Sequence, residues 1–103
     1  MRRVIIESLF AGDTQRNVEY ARACMLDCLK RDEAPFASHL LYTQVLDDTK
    51  LDERVLGIHA GFAWGERADA TVVYTDLGIS SGMEQGIKHA GAWGRPVEYR
   101  SIQ

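Results

Sequence analysis

Ala70-Thr71-Val72-Val73-Tyr74-Thr75 is the stretch of sequence that decides the fold. Its β-branched residues occupy both faces of an extended chain, which is typical of a strand buried on both sides. Strands of this kind belong to parallel sheets that carry helices on each face. The flanking sequence is therefore expected to supply helices and further strands in alternation.

The flanking patterns do alternate. Before the central strand they predict a strand over 3–10, a helix over 16–31, a strand over 35–38, a loop over 39–50 and a helix over 51–65. After it they predict a turn over 76–80, a helix from Ser81 or Gly82 to about Trp93, and a strand that begins over 95–99. Such alternation requires parallel pairing with right-handed crossovers. We predict a single domain, residues 1–103, with a flavodoxin- or Rossmann-like α/β fold: a three-layer sandwich with about four parallel strands in the order 2-1-3-4.

Length and charge limit the function classes. A chain of 103 residues forms one domain with a small core, and oligomerisation would add to the surface that it buries. With 12 basic and 15 acidic residues the chain has a net charge of −3, so it lacks the basic surface needed for general nucleic-acid binding. No stretch approaches the roughly 20 apolar residues of a membrane span, and the apolar run near the N-terminus is too short for a signal peptide. We expect a cytoplasmic protein.

The two cysteines, Cys24 and Cys28, share one face of the first predicted helix. Two thiols supply only half of a zinc site, and their spacing fits small core residues better than a redox pair. We therefore expect neither a metal site nor a bound cofactor.

The topology predicts where a ligand binds. In open parallel sheets, ligands bind beyond the carboxyl ends of the strands, at the point where the crossovers diverge. For the predicted strand order, three loops converge there, over 7–13, 38–40 and 75–84. Glycines permit close backbone approach, and serines with the free amides of a helix start suit an anion. The expected ligand-binding residues are Glu7, Ser8, Phe10, Gly12, Asp13, Asn17, His39, Gly78, Ser80, Ser81, Gly82 and Met83.

Two carboxylates in the third loop are candidates for chemistry. Asp76 follows the central strand and Glu84 opens the last helix, so both could face one pocket. Paired carboxylates suit reactions at the anomeric carbon of a sugar. However, Ser81 and Glu84 also match the S-x-x-E capping box, and Asp76 could be a turn former. The loop matches neither G-x-G-x-x-G nor the P-loop, so dinucleotide and NTPase functions are not supported.

Gly82-Met83-Glu84-Gln85-Gly86, followed by Ala90 and Gly94-Arg95-Pro96-Val97, resembles the G-[MY]-E-x-G…A…GKPV segment of the nucleoside 2-deoxyribosyltransferase-like superfamily. That group includes nucleotide N-glycosidases and many small uncharacterised phage and bacterial proteins. Phe10-Ala11-Gly12, Ser38-His39 and 68–73 occupy similar places. The resemblance implies that Glu84 attacks the anomeric carbon and forms a glycosyl-enzyme intermediate. It also implies a homo-oligomer, because family members often complete each site with residues of a neighbouring subunit.

One position departs from the family. Its enzymes commonly carry an Asp eight residues before the position of Asp69, where it assists departure of the base, and this chain has Gly61 there. Loss of a general acid costs on the order of 10²–10⁴-fold in rate, since a base leaves poorly unless protonated. Asp76, Asp48 or His39 could substitute. Three functions stay open: a nucleoside or nucleotide N-glycosyl transferase or hydrolase, a module that binds a nucleotide without cleaving it, and a structural interaction domain.

Overall fold

The computed structural model describes all 103 residues. Its strands are β1 (Arg2–Glu7), β2 (Glu33–Phe36), β3 (Ala70–Tyr74) and β4 (Val97–Arg100). Its helices are α1 (Thr14–Lys30), α2 (Ser38–Leu41), α3 (Leu51–Gly65) and α4 (Ser81–Ala92), with a 3₁₀ turn over Tyr42–Gln44. The strands form one sheet in the order β2-β1-β3-β4, and every neighbouring pair is parallel. The predicted fold class, strand order and pairing are therefore confirmed.

The core lies between the sheet and α1. All five residues of β3 are buried, as its β-branched composition predicts. Side chains at even positions of β1 and β3 meet Tyr20, Cys24 and Cys28 of α1. Both cysteines are free and fully buried, which agrees with their expected place in the core.

The opposite face of the sheet is covered less completely. Helix α4 packs on β1, β3 and β4, with Met83 and Ala90 buried, whereas α3 packs mainly against α2 and α4. Space is therefore left between α3, α4 and this face of the sheet. No helix of the protein combines the length and apolar character needed to cross a membrane.

The local predictions fail mainly before α3. The segment 39–50 was expected to be a loop, but it contains most of α2 and the 3₁₀ turn. One helical turn places Leu40 against the core, and so short an element leaves no periodicity in the sequence. Strand β1 ends at Glu7 instead of Phe10, and β2 ends at Phe36, so that Ser38 begins a helix.

Candidate functional site

A cavity of about 370 Å³ lies between α3, α4 and the face of the sheet opposite α1. Residues on β1, α2, α3 and α4 and on their connections line it. Its volume falls in the range of small-molecule sites. The carboxyl end of the central strand β1 reaches this cavity through Glu7 and the following Ser8, in agreement with the rule for parallel sheets.

Most of the expected ligand-binding residues lie at this cavity. Those that line it are Glu7, Ser8, Phe10, His39, Ser80, Ser81, Gly82 and Met83. All three loops selected from the sequence therefore contribute to its wall. Their roles in binding remain predictions, but the structure brings these eight residues together.

The other four expected residues do not line the cavity. Asn17 is buried, and its Nδ2 donates to the carbonyl oxygens of Phe10 and Ala11, both at 2.9 Å. Asp13 is the N-cap of α1 and accepts a hydrogen bond from the backbone N–H of Arg16. Gly12 and Gly78 adopt positive φ angles of 99° and 94° in turns. These residues shape the loops that carry the cavity wall.

Asp76 is occupied by the C-terminal segment. Its carboxylate accepts hydrogen bonds from the Tyr20 hydroxyl at 2.6 Å, from the Ser101 hydroxyl and from the backbone N–H of Ile102 at 3.0 Å. These bonds lower the pKa of Asp76 to about 2, so it is ionised at neutral pH. Asp76 does not line the cavity.

Glu84 is exposed and also lies outside the cavity lining. Helix α4 is capped one residue earlier than expected, because the Ser80 hydroxyl accepts from the backbone N–H of Met83 at 3.2 Å. The thioether of Met83 returns to the Ser80 N–H at 3.4 Å. The capping box expected between Ser81 and Glu84 is therefore wrong. The structure does not bring Asp76 and Glu84 together, and their catalytic roles stay predictions.

The carboxylate that does face the cavity is that of Glu7. Its side chain lies directly against Gly86 of α4, where a Cβ atom would overlap with the carboxylate. The carboxylate has no hydrogen-bond or ion-pair partner. Burial raises the pKa of Glu7 from 4.5 to about 8, although the nearby positive charge of Arg95 opposes the change. Glu7 is therefore largely protonated at neutral pH.

Arg95 is a buried cation at the same cavity. Its Nε donates to Thr71 Oγ1 at 2.9 Å, and its Nη1 donates to the carbonyl oxygen of Gly65 at 2.6 Å. Only 8% of the residue is exposed, and burial lowers its pKa. These two bonds fix the guanidinium, whereas the neighbouring Glu7 carboxyl is free to bond with a ligand.

Ser8 and His39 form a second polar pair in the wall. Ser8 Oγ and His39 Nε2 lie 2.8 Å apart, and Ser8 is buried. The edge of the Phe10 ring packs against the imidazole, with ring centroids 6.4 Å apart. Burial lowers the pKa of His39 to about 4, so the ring is neutral at pH 7 and is a weak source of protons.

A polar edge of the cavity comes from α3 and the segment before it. Asp48, Glu53 and Arg54 line this part, and Glu53 accepts from the backbone N–H of Asp47 at 2.9 Å. The guanidinium of Arg54 makes no hydrogen bond or ion pair within the protein. A Cβ atom at Gly82 would lie 3.8 Å from its Nη2, so its guanidinium is close to the start of α4. Cation and helix start together favour an anionic ligand group.

Sequence reasoning missed the contribution of α3. Gly57, Ile58, Gly61 and Phe62 line the cavity, although no predicted loop contained them. A Cβ atom at Gly61 would lie 2.8 Å from Ser38 Oγ and 2.9 Å from its Cβ. The Asp that the sequence resemblance implies at this position therefore has no room here. Of its suggested substitutes, Asp48 and His39 line the cavity and Asp76 does not. No cluster of three or more His, Cys, Asp or Glu side chains could hold a metal ion.

The chain is a parallel α/β domain with the fold of nucleoside deoxyribosyltransferase-like proteins. A solved 2-deoxyribosyltransferase from Bacillus psychrosaccharolyticus is 16% identical over 96% of this chain and 72% of that chain, with a TM-score of 0.69. A CMP N-glycosidase from Clostridium botulinum, BcmB, is 12% identical over 97% of this chain and 71% of that chain, with a TM-score of 0.58. At these identities the likeness establishes the shared fold.

The family is shown by sequence. Residues 2–100 match the model of a domain of unknown function, DUF7768, and the chain belongs to this family. No curated protein is similar enough in sequence to match it.

Proposed function

We propose that the cavity binds a nucleoside or nucleotide and that the protein transfers or hydrolyses its N-glycosidic bond. The observation that carries this proposal is a cavity of about 370 Å³ that exposes an unpartnered carboxyl group, Glu7, at the end of a central strand. Carboxyl groups are the functional groups that glycosidic bond cleavage uses. The shared fold with a deoxyribosyltransferase and a CMP N-glycosidase supports the same class.

The wall of the cavity suits the parts of a nucleotide. Phe10, Tyr42 and Phe62 offer aromatic surface to a base. Arg54, together with Ser80 and Ser81 at the start of α4, offers hydrogen-bond donors to a phosphate. We therefore favour a nucleoside monophosphate over a nucleoside.

Glu84 remains the proposed nucleophile on the strength of the sequence resemblance. It directly follows Gly82 and Met83, which line the cavity. Its side chain is exposed and makes no hydrogen bond or ion pair within the protein, while its backbone N–H donates to the carbonyl oxygen of Ser80. No hydrogen bond therefore fixes the rotamer of the Glu84 side chain. For Asp76 we propose a positioning role, since three donors already occupy its carboxylate.

A second candidate function is nucleotide binding without turnover. Two observations favour it: Glu84 lies outside the cavity lining, and Gly61 leaves no room for the acid of the family. In that case the protein sequesters or senses a nucleotide in the same cavity.

One experiment separates the two candidates. Purified protein is incubated with a panel of nucleosides and nucleoside monophosphates, free base is measured by chromatography, and binding is measured by calorimetry. Base release that Glu84→Gln abolishes supports the enzyme, whereas binding without release supports the module. Glu19→Gln is the matched control, because Glu19 is exposed on α1 and does not line the cavity. Absence of both binding and release contradicts both candidates.

We also propose that the protein forms a homo-oligomer and works in the cytoplasm. Apolar side chains are exposed on α3 and just before it, at Val45, Leu51 and Leu56, and such surfaces mark subunit contacts. Light scattering that gives the mass of a monomer at working concentration would contradict the oligomer. Cell fractionation tests the location.

A further inference from the structure

We propose that Glu7 is the acid that protonates the departing base, in place of the Asp that position 61 cannot hold. This inference rests on the proposed function and adds a catalytic residue to it. Neither the sequence resemblance nor the family assigns a role to Glu7.

The first argument is position. Glu7 ends β1, a central strand hydrogen-bonded on both sides, so its backbone is held by the sheet. Its side chain lies on the cavity face and is pressed against Gly86. A side chain larger than hydrogen at Gly86 would occupy the place of the carboxylate. The fold thus leaves a slot of the right size for this carboxyl group.

The second argument is the lack of a partner. Buried carboxylates are normally paired or hydrogen-bonded, because an isolated buried charge is costly. The Glu7 side chain, which is only partly exposed, has neither kind of partner, and Arg95, the cation whose charge lowers the pKa of Glu7, uses its Nε and Nη1 on Thr71 and Gly65. A neutral carboxyl group with a proton to donate satisfies this environment.

The surrounding charges are consistent with a protonated group. The other ionisable side chains that line the same cavity are His39 from α2, Tyr42 from the 3₁₀ turn, Asp48 before α3, Glu53 and Arg54 from α3, and Arg95 before β4. Only Arg95 lowers the pKa of Glu7, and burial outweighs it to leave a pKa of about 8. His39 is neutral, with a pKa of about 4, and is bonded to Ser8. Between Glu7 and His39, Glu7 is the group that still holds a transferable proton at neutral pH.

The reaction balances with water as the co-substrate. The Glu7 carboxyl proton passes to a ring nitrogen of the base while the bond from that base to C1′ breaks, and the bonding electron pair stays with the base. C1′ is captured by the carboxylate of Glu84, or by water directly. Water then delivers hydroxyl to C1′, displacing Glu84 if it was attached, and its other proton returns to Glu7. Free base and free sugar leave, and the enzyme is unchanged.

The test compares two leaving groups on one sugar. A nucleoside monophosphate from the panel needs protonation of its base, whereas the 4-nitrophenyl glycoside of the same sugar releases a phenolate that needs none. Glu7→Gln should slow base release by about 10²–10⁴-fold and change nitrophenolate release by less than about 10-fold. The wild-type rate of base release should also fall as the pH rises through about 8, and this limb should be missing in the variant.

Each result has a defined meaning. Equal loss on both substrates, or base release by Glu7→Gln at the wild-type rate, overturns the acid role while the proposed function stands. Wild-type protein that releases neither product overturns the proposed function and the acid role together. Circular dichroism and Glu7→Asp, which keeps an acidic proton, exclude misfolding as the cause of a loss. Glu19→Gln again serves as the control.

Discussion

Replacement of Glu7 by Gln should stabilise the protein at alkaline pH. The pKa of Glu7 is about 8 in the fold and 4.5 in the unfolded chain. Between these values the unfolded chain has lost the proton that the native state retains, so native stability falls as the pH rises. The difference of 3.5 pKa units corresponds to about 5 kcal/mol across this window. Gln has the same shape and no proton to lose, so the stability of Glu7→Gln should not fall with pH for this reason.

The assay is urea unfolding of wild type and Glu7→Gln at intervals from pH 4.5 to 8.5. The free energy of unfolding of the variant, relative to that of the wild type, should rise by up to about 5 kcal/mol toward alkaline pH. Burial lowers the pKa values of His39 and His89, which therefore destabilise the fold at acidic pH, but this effect is common to both proteins and cancels. A difference that stays constant with pH would refute the inference that loss of solvent raises the pKa of an unpartnered Glu7.

Three further substitutions test the structure. Gly86→Ala should leave the free energy of unfolding within about 1 kcal/mol, because Ala favours the helix while the flexible carboxyl group of Glu7 moves aside. Base release should nevertheless fall, because Glu7 is displaced. Unchanged release would contradict the inference that Gly86 makes room for a catalytic carboxyl group. Gly61→Ala should lower the free energy of unfolding by about 1–3 kcal/mol in urea, because the added methyl group overlaps with Ser38. Adding Ser38→Gly should restore most of this loss. If Gly61→Ala leaves stability unchanged, α3 shifts freely. Asp76→Asn should speed amide hydrogen exchange at Ile102, whereas unchanged exchange would mean that Asp76 does not hold the C-terminal segment.

The fold followed from local signals that agree with one another. The β-branched residues of β3 predict burial on both faces, and the periodicity of α3 predicts its observed bounds, 51–65. Parallel order then places the loops after the strands at one edge of the sheet, which is why Glu7, Ser8 and His39, selected from those loops as ligand-binding residues, line one cavity.

The rest of the site depends on packing that no local pattern records. Arg95 lies far along the chain from Glu7 and reaches the cavity only because α4 ends beside α3. Asp76 looks available in the sequence, but its partners Ser101 and Ile102 come 25 or more residues later. For Glu84 the motif was visible while its direction was not. Gly82 and Gly86 line the cavity from one side of α4, and at about 100° per residue Glu84 lies on the opposite side, facing solvent.

The glycines of α3 bring the helix backbone itself to the surface of the cavity. Gly57 and Gly61 both line it, and four helical residues span about 6 Å. At Gly57 an added methyl group would approach Leu46 Cδ1 at 3.3 Å, which is the movable tip of a side chain. The width of the cavity at α3 therefore depends on the absence of side chains at Gly57 and Gly61. If the proposed function holds, a larger side chain at Gly57 should narrow the cavity and favour smaller bases, at a distance from Glu7 and the start of α4.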